Sequence, residues 1–161
     1  MTTMTSDKAG AAEPRPIIPA LAPFHAFARD ISYPLIRAAV GGTLMYHGIG
    51  KLMTLPIATF AQQSMARRGI EPALLVACII YINETVGAAC VVLGLFTRFF
   101  AASIAIEMAV ITFLVFFPHG YAWNTTGGGW EFFFLWGLIF FAIALRGGGP
   151  YSLDRKIGWE L

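Results

Sequence analysis

The chain has 161 residues, of which 57% are hydrophobic and only 12% charged. An ordinary soluble domain carries about 25% charged residues, so this composition excludes a water-soluble globule. The formal net charge of +2 and the lack of a basic block exclude a nucleic-acid-binding protein. The length allows one domain with about four membrane crossings of about 20 residues each.

The N-terminal stretch, residues 1–30, combines Ala, Thr and scattered charges with prolines at positions 14, 16, 19 and 23. This composition predicts an extended arm that precedes the membrane domain.

Four apolar runs follow, at about 32–53, 72–95, 99–117 and 130–145. Each is close to the length that crosses a hydrocarbon core of about 30 Å. None alternates like a barrel strand, and lipid offers no partner for open backbone groups. The sequence therefore predicts an all-α, integral membrane four-helix bundle over residues 31–146.

The connections between the predicted spans differ in kind. Residues 54–71 form a loop with a short surface helix around residues 57–65, whereas almost nothing separates the second and third spans, which predicts an antiparallel hairpin. The third loop covers residues 118–129. A Gly-Gly-Gly-Pro sequence then ends the last helix and opens the polar tail, 147–161.

Positive charges set the expected orientation. An even number of crossings places both termini and the second loop on one side, which carries seven Lys and Arg residues: Lys8, Arg15, Arg29, Arg98, Arg146, Arg155 and Lys156. The other side carries Arg67 and Arg68, with Lys51 at its border. The positive-inside rule thus predicts a multi-pass protein of the bacterial inner (cytoplasmic) membrane with both termini cytoplasmic.

Ionisable residues inside the spans are the candidate functional residues. A central charge costs about 2.5 to 3.5 kcal/mol on insertion scales, so Arg37, Glu84 and Glu107 should point inward and find one another. Helical spacing places Arg37 on one stripe with Gly41, Leu44, Gly48 and Lys51. We expect Arg37, Glu84 and Glu107 to form either an internal ion pair or a proton relay, with Asn83 or Tyr81 bonding the second acid.

A second polar tier is expected near the outer surface, where His47, Lys51 and Glu131 would form a site open to the periplasm. We take these three as candidate catalytic residues, and Tyr46, Asn83, Arg37 and Glu84 as candidate ligand-binding residues. The alternative for every one of them is an ion pair or packing contact that only fixes the helices.

No metal and no covalently bound cofactor are expected. His47 is the only histidine inside a predicted span, and the acids lack a Glu-x-x-His spacing. The aromatic run Phe132 to Phe134 is expected to form packing and lipid-facing surface.

Four short motifs in a fixed order resemble those of the DoxX family of small four-helix bacterial membrane proteins, over about residues 34–158. They are Arg37 and Gly41 followed by His47-Gly48-x-x-Lys51-Leu52; Glu84-x-x-Gly87 followed by Leu93-Gly94-Leu95-x-Thr97-Arg98; Glu131; and the tail Gly147-Gly148-Gly149-Pro150-Tyr151-Ser152-Leu153-Asp154.

The resemblance implies a redox-associated subunit, since relatives of this family look like quinone-reducing subunits of thiosulfate oxidation or partners of membrane redox complexes. By that analogy a quinone would bind near His47 and Glu131, and electrons would come from a membrane or periplasmic partner protein or a bound substrate. If the chain is an enzyme, it would be a quinone-linked oxidoreductase subunit without its own redox cofactor. Two alternatives stay open: a non-enzymatic accessory subunit of a larger membrane complex, and a small transporter or proton path. Membrane lipid is an expected partner in every case.

Overall fold

The computed structural model describes residues 14–124 and 126–161, so the first part of the predicted arm and Thr125 lie outside the described residues. Every regular element of the described chain is helical. In chain order the helices are α1 (Ala22–Thr54), α2 (Ile57–Phe60), α3 (Ala73–Leu93), α4 (Thr97–His119), α5 (Glu131–Arg146) and α6 (Leu153–Ile157). The all-α prediction is confirmed, and three of the four predicted spans match their helices to within two residues.

Three helices contain stretches of wider or tighter winding. α2 continues through a π turn at Ala61–Met65 and a 3₁₀ turn at Ala66–Arg68. This helical stretch covers the surface helix predicted around residues 57–65. α3 contains a π turn at Asn83–Gly87. α4 has wider winding over Ile111–Phe116 and ends in a 3₁₀ turn at Phe117–His119. Such bulges rotate the side chains that follow them and often occur at functional sites.

The predicted extended arm is wrong for residues 22–30, because α1 begins at Ala22, ten residues before the expected first span. Pro23 lies in the first turn, where the missing backbone N–H has no helical partner to lose. Pro34 lies inside the same helix. The prolines at positions 14, 16, 19 and 23 therefore did not prevent a helix from starting at residue 22.

The long helices pack in chain order, with α1 against the second half of α3, α3 against α4, and α4 most extensively against α5. The buried centre of the bundle contains Leu44, Val91, Ile104, Phe140 and Ile143. Many large apolar side chains are exposed instead, among them Leu35, Ile106 and Leu135, as expected for helices that face lipid. Within residues 14–124 and 126–161, α3 and α4 are long and apolar enough to cross a membrane.

Glycines fix the register between α1 and α3. A Cβ on Gly48 would collide with the backbone of Glu84, and one on Gly41 would lie 2.9 Å from the carbonyl oxygen of Ala88. Both glycines are buried, as the predicted stripe on α1 requires. Small residues of this kind let two helix backbones approach closely in a membrane.

The C-terminal segment 147–161 folds back and closes one end of the bundle. The carboxylate of Asp154 accepts hydrogen bonds from the backbone N–H of Phe96 (2.7 Å) and of Thr97 (3.0 Å), and from the Thr97 hydroxyl (2.6 Å). These are the free N–H groups at the start of α4, which a carboxylate caps well. Nearby, Arg98 donates to the carbonyls of Ala144 and Leu145 at the end of α5.

Candidate functional site

An ion pair joins α1 and α3 at the level of the glycine contact. Lys51 Nζ lies 2.5 Å from Glu84 Oε1, and the Glu84 side chain is only 6% exposed against 25% for Lys51. The Lys51 ammonium also lies 5.1 Å from the ring centroid of Phe60 and 5.9 Å from that of Tyr81. The charge on Lys51 is therefore held by one carboxylate and two aromatic rings.

A second buried acid stands behind this pair. Asn83 Nδ2 donates to Glu107 Oε2 at 3.0 Å, and the Ser103 hydroxyl donates to Asn83 Oδ1 at 2.9 Å. Glu84 and Glu107 lie close enough for their charges to interact. The structure thus gathers Lys51, Glu84, Glu107, Asn83 and Ser103 into one cluster, which we call the polar cluster.

The polar cluster borders a cavity of about 440 Å³ between the helices. Pockets of about 300 to 1,000 Å³ are typical of small-molecule sites. Lys51 and Glu84 line one wall, and aromatic and aliphatic side chains line most of the rest. Its lining consists of Leu44, His47, Lys51, Phe60, Ser64, Met65, Arg68, Ile80, Glu84, Met108, Ile111, Val115, Phe116, Phe132, Phe133 and Trp136.

The predicted outer tier is only partly assembled. His47 and Lys51 line the cavity together, but Glu131 is not among the described residues that do so. Glu131 instead occupies the first turn of α5, where the helix dipole favours a carboxylate. The cavity-facing side of α5 belongs to Phe132, Phe133 and Trp136. Tyr46 is 78% exposed and touches His47 only edge to face, with centroids 6.1 Å apart.

The predicted pairing of Arg37 with Glu84 or Glu107 is wrong. Arg37 is fully buried, but its Nη2 donates to the carbonyl of Tyr151 in the C-terminal segment, and its guanidinium lies 5.8 Å from the Tyr33 ring. The predicted pairing requires Arg37 to lie at the same depth in the bundle as the two acids. In the observed register Gly48 is level with Glu84, which places Arg37, eleven residues earlier, about 16 Å away along α1.

Two groups of cavity residues were not predicted from the sequence. Phe132 and Phe133 were expected to be packing or lipid surface, yet both line the cavity. Phe60, Ser64, Met65 and Arg68 reach it from α2 and its continuation. The short helix predicted in the first loop was the signal for this second group, because a surface helix beside four spans buries one of its faces against them.

The arrangement can bind an amphipathic molecule with one polar end. Apolar and aromatic walls would hold a ring or chain, while Lys51, His47 and Glu84 offer a cation, an imidazole and a carboxylate to its polar atoms. No group of three or more His, Cys, Asp or Glu side chains suited to a metal ion occurs within residues 14–124 and 126–161.

Fold and site together define a small helical membrane protein with a partly polar, open cavity between its helices. The sequence profile of the DoxX family matches residues 33–119, more than half of the chain. An uncharacterized protein of Haemophilus influenzae is 32% identical over 125 residues, which cover 75% of this chain and 87% of that relative. The chain belongs to the DoxX family, a family of membrane proteins. No solved structure matches it.

Proposed function

We propose that this protein is a redox-associated subunit of the bacterial inner membrane that binds a quinone in the cavity beside Lys51 and Glu84. The observation that carries the proposal is the cavity itself, in which an ion pair and a histidine meet a largely aromatic wall. The resemblance to quinone-linked relatives supports the same ligand class.

The residues present fit a quinone headgroup. Lys51 and His47 can donate hydrogen bonds to a ring carbonyl, and Phe60, Phe133 and Trp136 present faces or edges for ring packing. A bound quinone would supply the capacity to accept electrons, which a membrane or periplasmic partner protein or a substrate would deliver. The chain's own residues would bind the ring, orient it and exchange protons with it.

In this proposal all four long helices cross the membrane and both termini lie in the cytoplasm. The cavity then opens toward the periplasm, because α2 and its continuation, which carry the exposed Arg68, connect the outer ends of α1 and α3. Electron donors and protons from that side could reach the polar cluster without crossing the bilayer.

Binding of a short-chain naphthoquinone to the purified protein tests the proposal. We expect Lys51→Met and His47→Ala each to weaken binding about 10- to 100-fold, the effect of losing a hydrogen bond that involves a charged or strongly polar group. Glu131→Gln is the matched control, since Glu131 lies outside the cavity lining, and its affinity should equal that of the unmodified protein. Equal affinity in all three folded variants would contradict the proposed site.

A further inference from the structure

The polar cluster contains two acids and one base. Lys51 pairs with Glu84, which leaves Glu107 without a positive partner of its own. Both acids are more than nine-tenths buried, at 5% and 7% exposure. If both carboxyl groups were ionised, the cluster would carry one uncompensated negative charge inside the bundle, which is strongly unfavourable in a low-dielectric interior.

The hydrogen bonds show where a balancing proton would sit. Glu84 Oε1 accepts from Lys51, and Glu107 Oε2 accepts from Asn83. The remaining oxygens, Glu84 Oε2 and Glu107 Oε1, are buried and have no hydrogen-bond donor. Two buried acceptors without a donor are costly, and a single proton on either oxygen would satisfy both if it lies between them.

The Asn83 amide does not supply that donor. The Ser103 hydroxyl occupies Asn83 Oδ1, so the amide directs its NH₂ group at Glu107 Oε2. Glu107 is bonded to Asn83, which precedes Glu84 in the chain, so the two carboxyl groups lie close enough for their charges to interact. Two buried carboxyl groups this close together share one proton, because ionising both would place two negative charges side by side.

Few other titratable groups face the two acids. α1 contributes Lys51 and His47, α3 contributes Tyr81, and the segment after α2 contributes Arg68 at the cavity. α5 presents only the aromatic side chains of Phe132, Phe133 and Trp136 to the cavity. Lys51 is thus the one cation in contact with either carboxylate among the described residues.

We propose that Glu84 and Glu107 hold one exchangeable proton between them and deliver it to the cavity through Glu84, which lines the cavity wall. On delivery an O–H bond of the pair breaks, an O–H or N–H bond forms on a base in the cavity, and both acids are left ionised. A proton from the aqueous phase, passed on by water in the cavity, then restores the pair. That the base is a bound quinone rests on the function proposed above, whereas the shared proton does not.

Infrared difference spectroscopy of the purified protein, without quinone, tests the shared proton. We expect the C=O band of a protonated carboxylic acid at neutral pH, shifted in D₂O and lost in one step as the pH is raised. Glu84→Gln and Glu107→Gln should each abolish the band, because the remaining acid can ionise against Lys51. Glu131→Gln is the control and should retain it.

Three results would overturn the inference. Absence of the band in the folded, unmodified protein would show that no proton is held. Retention of the band in Glu84→Gln but not in Glu107→Gln would assign the proton to Glu107 alone. Appearance of the band only when sodium is replaced by choline would identify a metal cation in its place. None of these measurements involves quinone binding, so the shared proton and the proposed function can fail separately.

Discussion

Arg37 and Lys51 lie on the same stripe of α1, yet they have partners of different kinds. Lys51 pairs with a carboxylate on the neighbouring helix. Arg37 instead donates to the backbone carbonyl of Tyr151 in the C-terminal segment and lies beside the ring of Tyr33. The stripe was predictable, because only period and residue type are needed to find it. The partners were not, since they depend on the register that Gly48 and Glu84 set.

At this scale we predict that Arg37 acts in folding and not in ligand binding. Arg37→Ala should lower the free energy of unfolding in mixed micelles by about 3 kcal/mol, because it leaves a cavity and an unpaired carbonyl. Tyr33→Phe, which removes a hydroxyl bonded to the Gly147 carbonyl, should lower it by about 1 kcal/mol.

Naphthoquinone affinity, measured on the monodisperse fraction of either variant, should stay at the value of the unmodified protein. Arg68→Ala serves as the exposed-arginine control for stability. A Tyr33→Phe protein of normal stability that binds quinone poorly would show that this end of the bundle takes part in binding.

Among the elements, the pairing of α1 with α3 shows what hydropathy can and cannot predict. Apolar runs located the helices because lipid leaves the backbone no alternative. They did not locate the start of α1, since residues 22–31 contain charges and a proline that interrupt the apolar run without preventing a helix. Nor did they indicate the π turn at Asn83–Gly87, which has no hydropathy signal.

We predict that the close approach of α1 to α3 depends on Gly48. Gly48→Ala should destabilise the protein by about 1 to 3 kcal/mol, because the added methyl group meets the backbone of Glu84 and forces the helices apart. Gly50→Ala is the matched control on the same helix, since nothing lies within 4 Å of its Cβ position. That change should be neutral or stabilise by up to about 1 kcal/mol.

Unfolding in mixed micelles, followed by circular dichroism, measures both variants. Equal stability of the two alanine variants would show that the helices part at no cost and that the glycine contact does not set the register.

For the molecule as a whole, the cavity is a property of all four long helices and the segment after α2, so no single motif predicted it. His47, Lys51 and Glu84 were identified as candidates because charges and histidines in apolar runs are rare. Phe133 and Trp136 could not be distinguished from lipid-facing aromatics, because the sequence does not show which face of α5 points inward.

The proposed orientation yields a prediction for the intact cell. In a background with Cys78→Ser and Cys90→Ser, Thr126→Cys in the loop before α5 should react with a membrane-impermeant maleimide added outside the inner membrane. Arg155→Cys in α6 should react only after permeabilisation, because the positive-inside rule holds that segment in the cytoplasm. The opposite labelling pattern would show that the protein has the inverted orientation and that the cavity opens toward the cytoplasm.

The bonds made by the C-terminal segment bear on the order in which the molecule is built. Thr97 bonds to Asp154, 57 residues later, and Tyr33 to the carbonyl of Gly147, 114 residues later. During synthesis these two bonds therefore cannot form until residues 147–154 have left the ribosome. Closure over such long sequence separations is slow compared with local helix pairing, so we expect this end of the bundle to close last.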